Sequence, residues 1–504
     1  MSKERIQTTT DPVELERKLL LEGDGTAPTD SPGAEEPTWP DGRWTLARKA
    51  AIAISLALIV GYLILWAQNV QDTGGPEGYI RGNSNRGPVD FVSTLTGALV
   101  IRDGNGQNLY ALNTQTNAQN RIFAGYHPQL SSSQILPYNH LPFEALLVAP
   151  FMNLPYPIVF ALWTLLCGIA IGMSLGLLDG ALPVARPVGW VLSLAACSYL
   201  PLIRGLMLGQ NSPLVLLGLC ALYANLKRGQ EGWAGAALVL VALKPQILPV
   251  ILLLLVLQKR WRALAVFAGI MGGLSILFMP ILGIGWPVQY ISLLLGVAGW
   301  SNSGAIDPAI MHNWRGFLTD VLSNHFSNLI TPLFIALALA TAALVTWAWW
   351  RTRDAKSGAG DRDTHDNYQT TRANRSAIQD THLEDYYAPR FDLLWALTGI
   401  AALLTSLHLN PHDLTLLVFP AWIIGAYATS SLWGRGFSRL WVAILALGYV
   451  LAPFILTNPV QVVIPSVLLM ALAVILLAWH LANPSTEEAR LLPAPVLATS
   501  LIHA

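Results

Sequence analysis

The chain has 504 residues, of which 53% are hydrophobic and only 12% are charged, and its formal net charge is zero. Soluble globular proteins carry about 25% charged residues, so this composition excludes an ordinary soluble protein and indicates a polytopic membrane protein. A neutral chain also gives no reason to expect a nucleic-acid partner. The apolar runs are continuous rather than alternating, which predicts an all-α protein whose helices span the membrane.

The first 42 residues are polar, lack the apolar core of a signal peptide and are predicted to form a disordered tail. The three cysteines, Cys167, Cys197 and Cys220, all lie within apolar runs. The sequence therefore offers neither a disulfide framework nor a cysteine zinc site.

About twelve transmembrane helices are predicted, because a spanning helix needs roughly 20 apolar residues. The predicted spans are 50–68, 156–178, 187–203, 211–226, 263–282, 330–350, 391–408, 414–430, 440–456 and 462–482. The stretch 233–257 is interrupted at Lys244-Pro245 and is predicted to form two short helices that meet there. The segment 141–154 contains Glu144 and two prolines, so we expect it to lie at the surface or re-enter the membrane.

The distribution of Lys and Arg places both termini and the polar segment 351–390 on the cytoplasmic side by the positive-inside rule. The large loops 69–140 and 283–329, after the first and the seventh helix, are then outside, as are the turns 204–210 and 409–413. The predicted divisions are a disordered cytoplasmic tail (1–42), a transmembrane module with the large outer loops (43–350), a cytoplasmic polar linker (351–390), C-terminal transmembrane helices (391–482) and a second cytoplasmic tail (483–504).

Uncommon polar side chains are concentrated on the predicted outer side. Asp90 lies in the first outer loop, directly before Phe91, where an acid beside the membrane surface indicates chemistry at that surface. The other candidates are Arg204, Gln210 and Asn211 in RGLMLGQN, Lys244 at the broken hairpin, His312, Asn313 and Arg315 in HNWRGFL, and His408, His412 and Asp413 in HLNPHDL.

Several of these residues also have a structural interpretation. Asp90 could cap a helix that begins at Phe91, Asp103 could belong to a turn, and Lys244 could extend to the membrane interface. Glu144 could pack between helices. The pair of arginines Arg204 and Arg315 could bind lipid headgroups.

A metal site at HLNPHDL is a further alternative. His408 and His412 have the spacing of one helical face, but Pro411 lies between them and no HExxH context supports a metal pair. We therefore predict no metal site.

The order of these segments resembles glycosyltransferase family 87 of the GT-C superfamily, the bacterial polyprenol-phosphate-dependent mannosyltransferases. The resemblance runs from about residue 50 to 430. It is carried by Asp90-Phe91 with Tyr110, GQN at 209–211, the Lys244-Pro245 break, HNWRGFL and HLNPHDLTLL. The family usually shows Tyr-Pro-Pro where this chain has Tyr138-Asn139-His140, and the segment 351–390 is an insertion relative to the family.

The resemblance implies an inverting transfer of a hexose, typically mannose, from a polyprenyl phosphate to a lipid or glycan acceptor. The reaction is expected on the outer face of a bacterial cell membrane. Asp90 matches the family's loop acid and is the expected general base. Lys244, Arg204 and Arg315 are the cations available to the leaving phosphate.

The remaining polar residues are assigned to substrate binding. We expect His412 to bind the donor phosphate or a sugar hydroxyl. Gln210, Asn211, Asn313 and His140 complete the expected binding residues. Because the chain has no Asp-x-Asp motif at these positions, neither a metal nor another cofactor is expected. The expected partners are the donor, the acceptor and membrane lipids.

Two other classes of protein have a similar hydrophobic pattern. An oligosaccharide-lipid polymerase or ligase would rely on Arg and His in a late loop, whereas here an acid-bearing loop directly follows the first span. A lipid-linked-sugar flippase would need a polar path to the cytoplasmic side, and the inward halves of these spans carry few charges. Both observations favour the transferase.

Overall fold

The computed structural model describes residues 43–82, 88–185, 188–296, 308–322, 326–360, 389–429, 466–467 and 470–478. The chain divides into two compact units, residues 1–50 and residues 51–504. Of the first unit, only the helical start at 43–50 is described. The predicted tails, most of the predicted linker, the predicted span 440–456 and Asp307 lie outside the described residues.

The described residues form helices and no strand, as the continuous apolar runs predict. The α-helices are α1 (Arg43–Asp72), α2 (Pro76–Arg81), α3 (Phe91–Arg102), α4 (Leu112–Ile122), α5 (Pro142–Val148), α6 (Tyr156–Ala181), α7 (Gly189–Cys197), α8 (Leu200–Leu208), α9 (Ser212–Lys227), α10 (Glu231–Val241), α11 (Leu248–Leu257), α12 (Trp261–Leu277), α13 (Met279–Leu282), α14 (Trp286–Gly296), α15 (Trp314–Leu322), α16 (Ser327–Gly360), α17 (Pro389–Leu404) and α18 (Val418–Thr429). Short 3₁₀ turns at Pro245–Ile247 and Pro411–Leu417 precede α11 and α18.

Three of the described helices are long and apolar enough to cross a membrane: Ile52–Asp72 within α1, Tyr156–Ala181, and Ser327–Trp350 within α16. A fourth span results if α7 and α8, which meet at a 49° bend, are counted together. Helices of 10–17 residues, including α9 to α12, are apolar but shorter than the roughly 20 residues that span a bilayer. The count of about twelve spans stays a prediction.

The interruption predicted at Lys244-Pro245 is confirmed. The helix α10 ends at Val241, the 3₁₀ turn Pro245–Ile247 follows, and α11 begins at Leu248. A proline lacks the N–H that would continue the helical ladder, and it disfavours the helical conformation of the residue before it. Lys244 accordingly has an extended backbone, with φ −121° and ψ 81°.

Three segments differ from their predicted form. The predicted turn 204–210 is mostly the end of α8, and the chain reverses only after Leu208. The predicted loop 69–140 contains the helices α2, α3 and α4. The helix α16 continues to Gly360, into the segment predicted as a linker. Helices too short or too polar to count as spans by hydropathy account for these differences, as in α3, which has only 12 residues.

Two groups of buried hydrophobic residues form the core. One contains Phe91 and Leu95 of α3 with Trp163 of α6, and the other contains Leu222 of α9 with Trp395 of α17. Both groups reach the first turn of α9, through Leu214 and Val215 respectively. The polar residues described next lie at this first turn.

Candidate functional site

Asp90 immediately precedes the first turn of α3, and its carboxylate points away from the helix backbone. It occupies the N-cap position of α3 but makes no capping hydrogen bond. Instead, Oδ2 accepts a hydrogen bond from Nε2 of Gln210 at 2.6 Å. The side chain is 31% exposed. Asp90 therefore occupies the position of a helix cap, but its carboxylate contacts Gln210 and not the helix.

Gln210 is positioned by a tight turn between α8 and α9. Gly209 has a left-handed backbone, with φ +70°, and a Cβ on this residue would lie 2.6 Å from Cβ of Phe91. The indole N–H of Trp163 donates to the Gly209 carbonyl at 2.8 Å. Glycine is the residue that adopts this conformation without a steric cost. The GQN segment thus fixes the partner of Asp90.

Lys244 and Asp413 form a buried ion pair in the same region. The distance from Nζ of Lys244 to Oδ1 of Asp413 is 2.5 Å, and both side chains are at most 7% exposed. The hydroxyl of Ser212, at the start of α9, donates to the same oxygen at 3.1 Å. The second oxygen accepts the backbone N–H of Asn410 at 2.9 Å. The ammonium of Lys244 therefore lies inside the protein in an ion pair, and not at the protein surface.

His412 lies between the two acids. Its Nδ1 is 3.6 Å from Oδ2 of Asp90 and its Nε2 is 3.6 Å from Oδ1 of Asp413. Both distances exceed that of a hydrogen bond. Burial lowers the pKa of His412 and outweighs the two acids Asp413 and Asp90, which raise it; Lys244 and Arg204 lower it a little further. The ring is therefore neutral at pH 7, with one N–H donor and one acceptor.

The ion pair with Lys244 also changes the pKa of Asp413. Burial alone would raise the pKa of Asp413, but the charge of Lys244 and its hydrogen bond lower that pKa far below its usual value. Asp413 is therefore an anion at any physiological pH, and it neutralises Lys244 in this structure.

Two arginines, Arg204 and Arg315, lie near the histidines of the two loops, and neither has a carboxylate partner among the described residues. Arg204 is exposed on α8, and Arg315 is half-buried on α15. Arg204 is close enough to lower the pKa of His312 and His412, and Arg315 lowers the pKa of His408. Both arginines thus contribute uncompensated positive charge to this region.

His312 and His408 are buried beside the ion pair. Burial lowers the pKa of each ring to about 4. Both ring nitrogens of His312 are buried with no hydrogen-bond partner in the described part of the chain. The backbone N–H of His312 donates to the carbonyl of Leu409 at 2.9 Å, which joins the two loops.

Asn313 is held by the protein at both ends of its amide. Its Nδ2 donates to the carbonyl of Ser406 at 2.7 Å, and its Oδ1 accepts the N–H of Gly316 at 2.9 Å. The side chain is fully buried. These contacts anchor α15 to the segment before HLNPHDL, and they leave Asn313 one remaining amide hydrogen for a substrate.

A second acid, Glu144, lies next to the Asp90 region. It is 3% exposed and accepts hydrogen bonds from Thr94 at 2.6 Å and from Asn211 at 2.7 Å. Nδ1 of His140 donates to it at 3.0 Å. Burial alone would raise the pKa of Glu144, but His140 and the hydrogen bonds from Thr94 and Asn211 lower it. Gln210 and Asn211, which are adjacent in sequence, therefore hold Asp90 and Glu144 respectively.

The structure brings some of the predicted site residues into contact and leaves others at the periphery. Asp90, Gln210, Lys244 and His412 share one network with Asp413. Asn211 and His140 both contact Glu144, and Asn211 adjoins Gln210 in sequence. Arg204, Arg315 and Asn313 lie around the two loops. Sequence reasoning named Asp413 and Glu144 but did not assign them to the site. The available signal was an acid within or directly beside an apolar segment, where an unpaired charge is costly.

The open cavities do not coincide with this network. One cavity, of about 740 Å³, is lined by Tyr110, Gln289 and Ser292, and another, of about 520 Å³, by Gln230 and Arg262. The described residues contain no group of three or more His, Cys, Asp and Glu side chains arranged to hold a metal ion. The site is therefore recognised by the convergence of polar side chains from distant segments.

The described part of the chain is thus a helical membrane protein in which an acid, a histidine and a lysine from separate segments meet. The family model of glycosyltransferase family 87 matches residues 138–362. The match confirms the resemblance predicted from the sequence motifs, and the chain is a glycosyltransferase. It includes Lys244 and Gln210, whereas Asp90 and Asp413, which contact them, lie outside it. None of the curated proteins and none of the solved structures compared with the chain matches it.

Proposed function

We propose that this membrane glycosyltransferase moves a hexose, with mannose as the first candidate, from a polyprenyl phosphate to a hydroxyl of a lipid or glycan acceptor. The reaction takes place at the outer face of the bacterial cytoplasmic membrane and inverts the anomeric configuration. The observation that carries this proposal is the partly exposed Asp90 carboxylate, which Gln210 of the family-matched region holds in place.

Asp90 is the general base in this proposal. The acceptor oxygen forms a bond to the anomeric carbon, the bond from that carbon to the phosphate oxygen breaks, and the phosphate leaves with the electron pair. The acceptor proton passes to the Asp90 carboxylate. A base needs to lie within hydrogen-bond reach of the proton it removes. The neutral amide of Gln210 occupies only Oδ2, and no lysine or arginine pairs with Asp90 among the described residues.

The leaving phosphate is proposed to bind on the side of the cations. Preorganised donors and positive charge stabilise the charge that develops on a leaving oxygen. Arg204 and Arg315 supply this charge, and neutral His412 supplies one N–H. Lys244 is neutralised by Asp413, so it contributes to phosphate binding only together with that acid.

The direct test is a transfer assay with the purified protein and radiolabelled polyprenyl-phosphate mannose, with the glucose analogue measured in parallel. Asp90→Asn should lower transfer about 10²–10⁴-fold, the usual contribution of acid–base catalysis. Asp103→Asn is the matched control, because Asp103 is another acid of the same predicted outer loop and is held by Arg102 and Arg121 at the surface. Full turnover in Asp90→Asn would reject Asp90 as the base. Absence of transfer from both donors would reject the proposed donor class.

A further inference from the structure

The charged groups of this region fall into two sets. One set contains Arg204, Arg315 and the Lys244–Asp413 pair, together with the histidines of the two loops. The other set contains Glu144, whose hydrogen bonds among the described residues come from Thr94, Asn211 and His140 and from no lysine or arginine. We refer to Glu144, His140 and Asn211, with the aromatic rings described next, as the Glu144 side.

Aromatic rings surround the Glu144 side. The rings of Tyr110 and Tyr138 stack with centroids 6.3 Å apart, and the ring of His140 lies 5.6 Å from that of Tyr138. Tyr290 contacts Tyr110 at 5.2 Å. The hydroxyl of Tyr110 donates to the backbone carbonyl of His140 at 3.0 Å, which fixes the position of this histidine.

Two buried polar atoms on this side have no hydrogen-bond partner in the described part of the chain: Oδ1 of Asn211 and the hydroxyl of Tyr290. Buried polar groups normally have a partner, so each unpaired one requires an explanation. Tyr290 is close enough to Glu144 that, besides burial, this acid raises the pKa of the phenol. An acceptor group and a donor group therefore remain unpaired beside the same carboxylate.

We propose that the Glu144 side is the acceptor subsite, and that it takes a neutral, hydroxyl-bearing acceptor such as a saccharide. His140 contacts an acceptor hydroxyl through Nε2, because its Nδ1–H is held by Glu144. Glu144 is a positioning residue, which fixes the orientation and tautomer of His140. This inference rests on the proposed function.

The physical reasons are charge and geometry. In an inverting transfer, the nucleophile and the leaving group lie on opposite faces of the anomeric carbon. If the cations bind the phosphate, the acceptor occupies the other set of groups, on the Glu144 side. A phosphate at this position would meet the anionic Glu144 without a compensating arginine or lysine. Hydroxyl groups, in contrast, can donate to acceptor atoms such as Oδ1 of Asn211, and aromatic rings pack well against the apolar faces of sugars.

The test is a kinetic comparison with two probes, radiolabelled polyprenyl-phosphate mannose as donor and octyl α-mannoside as a neutral acceptor. In His140→Gln and Glu144→Gln, KM for octyl mannoside should rise about tenfold or more, the effect of losing one good hydrogen bond of about 1.4 kcal/mol. KM for the donor should change less than about twofold, a difference of about 0.4 kcal/mol. Melting curves in detergent check that both variants are folded.

His127→Gln is the matched control. His127 belongs to the same loop region, and its Nε2 is 2.8 Å from the backbone carbonyl of Arg81 rather than near Glu144. It should leave both KM values unchanged. A rise in donor KM with unchanged acceptor KM in His140→Gln would overturn the proposal, and so would a wild type that hydrolyses the donor but does not use octyl mannoside. A wild type that neither transfers nor hydrolyses would contradict the proposed donor instead.

Discussion

Lys244 and Asp413 form one buried ion pair, with Nζ of the lysine 2.5 Å from Oδ1 of the acid, although they belong to segments far apart in the sequence. The pair joins the broken α10–α11 hairpin to the 3₁₀ turn before α18. Removing one partner of a buried pair costs about 3–5 kcal/mol, because the remaining charge is left unpaired. A variant that removes both charges of the pair therefore separates a role of Lys244 in catalysis from its role in stability.

We expect Lys244→Met to lower both the melting temperature and activity. The double variant Lys244→Met/Asp413→Leu removes both charges, so it should recover most of the lost stability. If Lys244 helps to bind the donor phosphate, transfer stays low in the double variant. Melting curves in detergent and transfer assays on the same samples separate the two effects. Recovery of full transfer in the double variant would assign Lys244 a structural role only.

The conformation of Gly209, in the turn before Gln210, predicts that even an alanine at this position lowers stability. In Gly209→Ala, the new Cβ would lie 2.6 Å from Cβ of Phe91, at a residue with φ +70°. Overpacking costs about 1–3 kcal/mol, in addition to about 1–2 kcal/mol for a left-handed alanine. The matched control is Gly229→Ala, with φ +69° and open space around the new atom.

Comparison of the two variants isolates the steric contact. Gly209→Ala should lose more stability than Gly229→Ala, and it should also lose transfer activity because Gln210 no longer holds Asp90. Equal stability and equal activity in the two variants would show that the contact with Phe91 is relieved without moving Gln210.

The charge state of His412 predicts a pH profile. Burial lowers its pKa below the usual value of about 6.5, so the ring gains a proton only at more acidic pH. If the neutral ring is the active form, its titration removes activity only as the pH falls through that lowered pKa. Any step in the pH profile of transfer that depends on His412 should then lie below pH 6.5. A step near pH 6.5 that disappears in His412→Gln would contradict a neutral ring.

The sequence predicts some parts of this site well, for identifiable reasons. The break at Lys244-Pro245 follows from local chemistry, since proline interrupts the helix in any context. The meeting of Asp90, Lys244 and His412 was predicted from their shared side of the membrane, because topology limits which loops can approach one another. Both signals are contained in composition and order along the chain.

Other parts depend on packing that the sequence does not display. The partner of Lys244 was not predicted, because pairing across segments is a property of the folded chain. Glu144 was assigned to helix packing, yet it accepts three side-chain hydrogen bonds. The turn at 204–210 was placed too early, because Arg204 interrupts the apolar run and Gly205 disfavours a helix by local propensity, although both lie within α8.

The orientation of the chain is a separate prediction. Cysteines introduced at Asn105, which is exposed, and at Ser357 should react with a membrane-impermeant thiol reagent from opposite sides of the membrane. The background should be low, because Cys167 and Cys220 are buried and Cys197 is partly buried. Wild-type protein measures that background. Labelling of both positions in intact cells would reverse the proposed orientation of the site.

The last prediction concerns a second buried ion pair, at the other end of α9. Nζ of Lys227 lies 2.6 and 2.7 Å from the two oxygens of Asp392, and the hydroxyls of Tyr223 and Tyr427 each donate to this acid at 2.5 Å. The cluster ties α9 to α17 and α18. Because α9 has 16 residues, at 1.5 Å each, this cluster lies about 20 Å from Ser212 and the candidate site.

Asp392→Asn leaves the ammonium of Lys227 buried without a counter-charge, so it should lower the free energy of unfolding by about 3–5 kcal/mol. Asp103→Asn removes an acid whose pairs with Arg102 and Arg121 lie at the surface, and it should cost about 0–1 kcal/mol. The free energies are compared by melting curves in detergent. At low temperature, where Asp392→Asn is still folded, its turnover should approach that of the wild type because the cluster is remote from Asp90. A variant that keeps its stability but loses turnover would instead place Asp392 in the catalytic cycle.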